Sequence, residues 1–301
     1  MAGADSVKSI FYALFANSAI AVAKGVGAWF TGSGAMLAEA VHSLADCTNQ
    51  ALLLLGIKRA KRPPSPDYPL GTGKEIYFWS FIVALLLFSV GGLFSIYEGV
   101  HKLHEPEPLS YPWVAIGILS FAVVAEGLSL LGCMREVDKV RGKRSYWGWF
   151  RATRQSDLMV IFGEDLAALV GLVLALIAVV ASMITGNPMY DACGSIAIGV
   201  LLVLIAILIG REVKALLVGE GVDPAVKAEM RQWLSDRSEV DEVYNLLTLQ
   251  MGNDVMVAVK ARMASAGTAQ GLVADINRCE VAFRQAFPQI QWLFFEPDCK
   301  D

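Results

Sequence analysis

Charge and histidine are both scarce in this sequence. Only 18% of its 301 residues are Asp, Glu, Lys or Arg, whereas 55% are hydrophobic, and there are three histidines. The mean hydropathy is +0.51. Soluble chains of this length are seldom so apolar, so the composition predicts an integral membrane protein in a lipid bilayer. The net charge of −4 gives no support for nucleic-acid binding, and we expect no nucleic-acid partner.

Paired cysteines and a cleavable leader are also missing. The five cysteines form no CxxC or other paired spacing, which argues against a disulfide framework. The N-terminal "MAGADSVKSIFYALF" has no basic region, cleavage site or Arg-rich transit pattern. We therefore expect a short tail before a first spanning helix, and the bacterial inner membrane as the host membrane.

Long apolar stretches dominate the first two thirds of the chain. Crossing a bilayer takes about 20 mostly apolar residues. Six stretches satisfy that length: 9–31, 35–57, 76–100, 111–134, 158–185 and 189–210. The connections after the second and fourth stretches are rich in Lys and Arg, whereas the other three carry one Lys between them. The positive-inside rule then places both termini in the cytoplasm, and residues 1–210 are predicted to form a six-helix transmembrane domain.

The sequence changes character after the sixth stretch. Residues 211–301 alternate between charged helical patterns and short β-rich runs, with a Gly-Asn turn between two of the runs. The predicted order is α-β-β-α-β, which indicates a small cytoplasmic α+β domain of two layers. We expect it to follow the sixth helix directly, because no flexible linker precedes it.

Ionisable residues interrupt two of the apolar stretches. Glu39, His42 and Asp46 are spaced i, i+3, i+7, so they lie along one face of a helix. The fifth stretch carries the adjacent pair Glu164 and Asp165. At ~1.5 Å per residue in a hydrocarbon core ~30 Å thick, Asp46 and this pair fall at similar depths. They are predicted to converge near the midplane, where ionisable groups need a function or a partner.

Several carboxylates beside an imidazole in a low dielectric repel one another and lose solvation unless a cation or protons neutralise them. Mixed nitrogen and oxygen ligation suits zinc, cobalt, iron(II) or manganese. A site that can hold either a metal or protons satisfies the requirement for exchange. The alternative for a His–Asp pair is a structural hydrogen bond. Glu39 is expected to pair with Lys24, and Glu126 fits packing or an ion path equally well.

Five segments, in order, resemble the cation diffusion facilitator family. They are "SGAMLAEAVHSLAD", "YPLGTGKEIYFW", "NPMYDACGSIAIGVLL", "LLVGEGVDPAVKAEM" and "FFEPD". In that family a six-helix membrane domain carries a cytoplasmic ferredoxin-like domain, and the protein is a homodimer. The resemblance implies export of a divalent transition metal from the cytoplasm, driven by inward proton movement.

The fifth helix departs from the family pattern. Typical members carry HxxxD there as well, but here Ile161 lies four residues before Asp165 and Val160 four before Glu164. The "GED" segment instead resembles the branch that includes the human zinc transporter nine. The metal ligands implied by the resemblance are His42, Asp46 and Asp165, with Glu164 as a candidate fourth. A site with one imidazole is richer in oxygen, which makes strict zinc selectivity less expected.

The C-terminal domain also lacks histidine, and Phe294 occupies a position where a ligand histidine is often found in the family. Asp298, Glu296 and Cys299 are a minor alternative metal site. The resemblance therefore implies a domain that holds the dimer together through packing.

These features predict a homodimeric secondary transporter that exports zinc first, with cobalt, iron(II) or manganese as alternatives. The metal would be its transported substrate, protons would be exchanged for it, and no cofactor is expected. A non-transporting membrane partner that senses metal or regulates another transporter is the competing interpretation. No candidate nucleophile lies beside the site, so we do not expect an enzyme.

Overall fold

The computed structural model describes residues 18–106, 108–264 and 267–300. The helices, in chain order, are α1 (18–31), α2 (Gly34–Ala60), α3 (Glu75–Leu86), α4 (Phe94–His104), α5 (Pro112–Val140), α6 (Tyr146–Ala152), α7 (Ser156–Thr185), α8 (Met189–Val218), α9 (Pro224–Ser235) and α10 (Ala269–Ala286). The strands are β1 (Val240–Met251), β2 (Asp254–Met263) and β3 (Ile290–Pro297). A π-helical segment, Leu87–Leu93, joins α3 to α4 without a break in the helix.

Four helices of the described chain are long and apolar enough to cross a membrane. They are Glu75–His104 (α3, the π-helical segment and α4 together), α5, α7 and α8. The helix α2 has 27 residues but is not among them, because its polar side chains lower its hydropathy. The first predicted span, 9–31, lies partly outside the described residues, which begin at residue 18 within α1. Four of the six predicted spans are therefore supported by length and composition.

Glycines let α8 pack closely against the π-helical segment Leu87–Leu93 and α4. A side chain at Gly92 would overlap Val203, and one at Gly199 would approach the carbonyl oxygen of Gly92 to 2.7 Å. Gly99 meets the carbonyl of Ala192 in the same way, at 2.7 Å. Backbone contact of this kind is how transmembrane helices gain packing energy without a hydrophobic driving force.

The outer face of α5 is apolar and not covered by protein. Phe121, Val124, Leu128 and Leu131 follow each other at helical spacing, and each is more than half exposed. In water such a stripe would be unfavourable, but it suits contact with lipid chains.

The chain separates into two compact units. The C-terminal unit consists of Gly56–Phe78, Phe150–Ser156 and the chain from Val213 onward, and the membrane unit contains the other helical segments. The C-terminal unit therefore includes the loop after α2 and the end of the loop after α5, which are the two basic connections.

The C-terminal unit contains the elements α9, β1, β2, α10 and β3, in the predicted order. Asp223 caps α9 by accepting a hydrogen bond from the backbone N–H of Ala225, and Pro224 occupies the first turn. β1 pairs with β2 antiparallel around Gly252, whose φ of +75° suits the expected Gly-Asn turn. β3 pairs with β2 in parallel, which requires α10 as the crossover.

Both helices of this unit contribute to one core on one side of the sheet. Alternate residues of β2 point into it: Val255, Val257, Val259 and Ala261. Met230 and Leu234 of α9 and Cys279 and Phe283 of α10 cover them. The result is a two-layer α+β arrangement of one sheet and two helices.

Both basic connections pack against the sheet end of the C-terminal unit. Arg154 donates to the carbonyl of Gly221 at 2.8 Å and pairs with Glu220 at 2.9 Å. The hydroxyl of Tyr77 accepts from the N–H of Gly252 at 3.1 Å. A side chain at Gly73 would collide with the carbonyl of Met251. The two basic connections and the α+β elements thus belong to one compact unit.

Candidate metal centre

The helix α2 carries His42, Asp46 and Asn49 along one face. His42 and Asn49 are fully buried, and Nε2 of His42 lies 3.6 Å from Oδ2 of Asp46. That distance is too long for a hydrogen bond, and neither imidazole nitrogen has a hydrogen-bond partner among the residues described. The structural hydrogen bond considered for this pair is therefore not formed, and the imidazole keeps both nitrogens for another use.

The adjacent acidic residues of α7 point to different neighbours. Glu164 accepts a hydrogen bond from Nδ2 of Asn49 at 2.6 Å, so it faces α2. Asp165 accepts a longer bond of 3.3 Å from the hydroxyl of Ser129, so it faces α5. Two residues that the sequence could not distinguish therefore have different environments.

A small cavity of about 20 Å³, which we call the acidic cavity, lies between α2, α5 and α7. It is lined by Ser43, Asp46, Gln50, Glu126, Ile161, Glu164, Asp165 and Ala168. Its volume has room for about one water-sized occupant. Four of the lining side chains are carboxylic acids, so the electrostatics of the cavity favour a cation or protons.

The predicted ligands are only partly assembled around this cavity. Asp46, Glu164 and Asp165 line it, but His42 is not among its lining residues. Within the described ranges, no three His, Cys, Asp or Glu side chains are close enough to hold a metal ion together. The carboxylates from α2 and α7 thus share a cavity, and His42 would have to reorient to join them.

Two further lining or neighbouring residues were not part of the predicted ligand set. Glu126 adds a carboxylate from α5 to the acidic cavity, and Asn49 bonds Glu164. The sequence signal for Glu126 was an isolated acid in an apolar stretch. The sequence signal for Asn49 was its position three residues after Asp46, on the same face of α2. Neither signal indicates which way the side chain points.

The expected ion pair between Lys24 and Glu39 is formed. Their charged atoms are 3.3 Å apart, and both side chains are fully buried. Lys24 also donates to the hydroxyl of Ser43 at 2.6 Å, and Ser43 lines the acidic cavity. Glu39 therefore lies about two turns of α2 from Asp46, and Lys24 reaches the edge of the acidic cavity through Ser43.

The minor alternative site near the end of the chain has other partners. Asp298 pairs with Lys260 at 3.1 Å and accepts from the N–H of Cys299 at 2.7 Å. The hydrogen bond from Lys260 lowers the pKa of the Asp298 carboxyl. This carboxylate is already neutralised by a cation of the same chain, which disfavours the minor site.

A helical domain in which one buried and three partly buried carboxylates from three helices line an ion-sized cavity is typical of membrane proteins that handle ions. Residues 10–218 match the family profile described as the cation efflux transmembrane domain. The chain therefore belongs to the cation efflux family and is an integral membrane protein, which confirms the resemblance found in the sequence.

Curated relatives agree with this assignment. The chain is 35% identical over 229 residues to a protein named proton-coupled zinc antiporter SLC30A9, mitochondrial, from Xenopus laevis, and 34% identical to the human protein of that name. Each match covers 75% of this chain, and the chain spans 41% and 40% of those proteins. It is 33% identical over 247 residues to Metal tolerance protein C4 of Arabidopsis thaliana, with 80% of this chain and 53% of that protein covered. The resemblance to the branch of human zinc transporter nine is confirmed.

Proposed function

We propose that this protein is a secondary active transporter that exports a divalent transition-metal cation from the cytoplasm. The meeting of Asp46, Glu164 and Asp165 at an ion-sized cavity in the membrane unit carries this proposal. Zinc is the first candidate, and the names of the SLC30A9 relatives support it. Cobalt, iron(II) and manganese remain alternatives because the cavity is rich in oxygen ligands. For the architecture of this protein we propose six membrane-spanning helices followed by a ferredoxin-like C-terminal domain.

The ligand set that we propose is His42, Asp46 and Asp165, with Glu164 as the fourth. These groups bind metal only when deprotonated, so metal and protons compete for them. A midplane site that opens alternately to the two sides would then exchange one for the other. His42 is the natural proton carrier, because an imidazole titrates closest to neutrality.

Metal uptake into proteoliposomes with an acidic lumen tests the proposal. Zinc, cobalt, manganese and iron(II) are supplied outside, and a lumenal pH dye follows proton release. We expect saturable metal uptake that is accompanied by alkalinisation of the lumen and slowed when the pH gradient is collapsed. Folded protein that transports none of the four metals above empty liposomes would refute transport.

A metal-sensing or regulatory partner of another transporter is the second candidate. One observation favours it: the apolar side chain of Ile161 forms part of the cavity wall, and His42 lies outside that wall. A sensor would bind metal and change conformation without flux. Metal binding in detergent combined with absent uptake in liposomes would therefore select this function.

A homodimer is proposed through the uncovered face of the sheet. Leu247, Ala258 and Phe294 are paired across the three strands on the side opposite the core, and Leu247 and Phe294 are exposed. Phe294→Lys is expected to shift the protein from dimer to monomer, because it places a charge in the apolar row. Light scattering of the detergent-solubilised protein measures this shift. Val273→Lys, a change at an exposed residue of α10, should remain dimeric, and an unchanged mass for Phe294→Lys would exclude this face.

Cytoplasmic termini are proposed together with cytoplasmic basic loops. Cys299 is exposed, whereas Cys279 is buried. Burial raises the pKa of the Cys279 thiol to about 11. Only a thiolate reacts readily, so an impermeant maleimide should modify Cys299 in inside-out vesicles and leave Cys279 unmodified. Peptide mass spectrometry identifies each site, and unfolded protein, in which Cys279 reacts, is the control. Modification of Cys299 in right-side-out vesicles instead would reverse the orientation.

The bacterial inner membrane stays a prediction for the host membrane. The SLC30A9 relatives are named mitochondrial, so their names point to a different host membrane. Fractionation of the native host's membranes tests it directly.

A further inference from the structure

Asn49 is a buried polar residue that the exchange mechanism above does not use. Its Nδ2 donates to Oε1 of Glu164 at 2.6 Å across the contact between α2 and α7. Its own Oδ1 is buried and has no hydrogen-bond partner among the described residues. A buried amide with an unpaired carbonyl is unfavourable, and an apolar side chain of the same size would avoid that cost. The hydrogen bond to Glu164 is therefore what the amide contributes at this position.

The hydrogen bond occupies one of the two oxygens of the Glu164 carboxylate. The 2.6 Å separation is that of a short hydrogen bond, which holds this oxygen close to the amide of Asn49. Glu164 also lines the acidic cavity with Asp46, which lies three residues before Asn49 on the same face of α2. One carboxylate oxygen is thus bound to α2, and one remains to contact an ion beside Asp46.

Asp165 has no comparable constraint. Its partner is the hydroxyl of Ser129, which is exposed and lies 3.3 Å away. Of the adjacent acidic pair on α7, only Glu164 has a hydrogen bond to the helix that carries His42 and Asp46. The geometry of the site between α2 and α7 therefore depends on Asn49.

A carboxylate with one oxygen engaged by a fixed donor favours metal binding through its other oxygen. Zinc prefers four ligands, and single-oxygen ligation suits that number. Larger, harder ions take six or more oxygens and gain from a carboxylate that binds through both. A donor that blocks two-oxygen binding by Glu164 consequently favours zinc over manganese.

We infer that Asn49 is a positioning residue that sets the metal preference of the acidic cavity by restricting Glu164 to single-oxygen ligation. This inference rests on the proposed function, because it assumes that Glu164 contacts the transported ion. Asn49 does not itself contact the ion. It acts through the hydrogen bond that it donates to Glu164.

Titration calorimetry of the full-length protein in detergent, with zinc alone and with manganese alone, tests the inference. Asn49→Leu removes the donor at similar volume. We expect zinc affinity to fall about tenfold or more, as for the loss of other residues that orient a metal ligand, with manganese affinity unchanged or raised. Thr48→Val changes the neighbouring exposed residue and should leave both affinities unchanged. Equal loss of both affinities, or no change in either, would overturn the inference.

The exchange Asn49→Asp with Glu164→Gln separates positioning from helix packing. The double variant keeps one carboxylate, one amide and the hydrogen bond between them, but moves the carboxylate to α2. We expect its melting temperature to approach that of the wild type while its zinc-to-manganese ratio stays altered. If Asn49 only joins two helices, melting temperature and metal ratio recover together, which would overturn the inference.

The same samples distinguish failure of the inference from failure of the proposed function. Wild-type protein that transports zinc, with an unchanged metal ratio in folded Asn49→Leu, overturns the inference and leaves transport intact. Wild-type protein that binds zinc without flux, with a shifted ratio in the variant, overturns transport and supports the role of Asn49. Wild-type protein that binds neither metal overturns both.

Discussion

Asp46→Asn is expected to reduce saturable metal uptake by at least about a hundredfold while the protein remains folded. Asp46 lines the acidic cavity, and its Oδ1 is buried without a hydrogen-bond partner among the residues described. The amide of Asn has almost the same shape, so the packing of α2 is retained. The amide carries no negative charge for a cation, and that charge is what a buried metal site needs. Initial rates of zinc uptake into proteoliposomes measure the loss.

Asp138→Asn is the matched control. It makes the same chemical change at an exposed aspartate near the end of α5, where the side chain pairs with Arg141. We expect uptake at the wild-type rate from this variant. If Asp46→Asn transports zinc as fast as Asp138→Asn, then Asp46 does not lie on the metal path, and the ligand set would have to be rebuilt around Glu126 and the α7 pair.

Sequence patterns predicted the helices and the sheet domain well because these depend on local chemistry. Apolar stretches of spanning length became α3 to α5, α7 and α8, with ends extended by several residues. The hairpin of β1 and β2 follows from alternating apolar residues and a turn at Gly252, which needs a positive φ. The short α6 and the π-helical segment Leu87–Leu93 were not predicted, because they depend on neighbouring helices.

The candidate site was predictable only in part, for a physical reason. Spacing along one helix is local, so the shared face of His42 and Asp46 could be predicted from the i, i+4 interval. The rotation of α7 against α2 and α5 depends on tertiary packing. That rotation turns Glu164 toward Asn49 and Asp165 toward Ser129, and no local pattern contains it.

The π-helical segment Leu87–Leu93 packs next to His42, and π-helical turns are frequent at functional sites. A Cβ on Gly91 of this segment would lie 3.9 Å from Nδ1 of His42. Nδ1 of the imidazole therefore faces this segment, whereas Nε2 lies 3.6 Å from Oδ2 of Asp46.

Lys24→Met is expected to destabilise the membrane unit by about 3–5 kcal/mol, because it leaves the carboxylate of Glu39 buried without its counter-ion. Lys24 and Glu39 are both fully buried and 3.3 Å apart, and Oε1 of Glu39 already lacks a hydrogen-bond partner within the described chain. Methionine has a similar length to the lysine side chain, so lost packing is a small part of the effect. Thermal unfolding in detergent, followed by the reactivity of buried cysteines, measures the change.

The double variant Lys24→Met with Glu39→Leu determines whether the pair serves stability or transport. Replacing both members of a buried ion pair by apolar groups is often nearly neutral, so most of the lost stability should return. Uptake should return with it if the pair only neutralises itself inside the membrane unit. Recovery of stability without recovery of zinc uptake would instead place Lys24 on the ion path. Lys24 donates a 2.6 Å hydrogen bond to Ser43, which lines the acidic cavity, so such a role is the direct alternative. A single variant as stable as the wild type would contradict the pairing itself, because an unpaired buried carboxylate must either become protonated or draw in water, and both carry a cost in free energy.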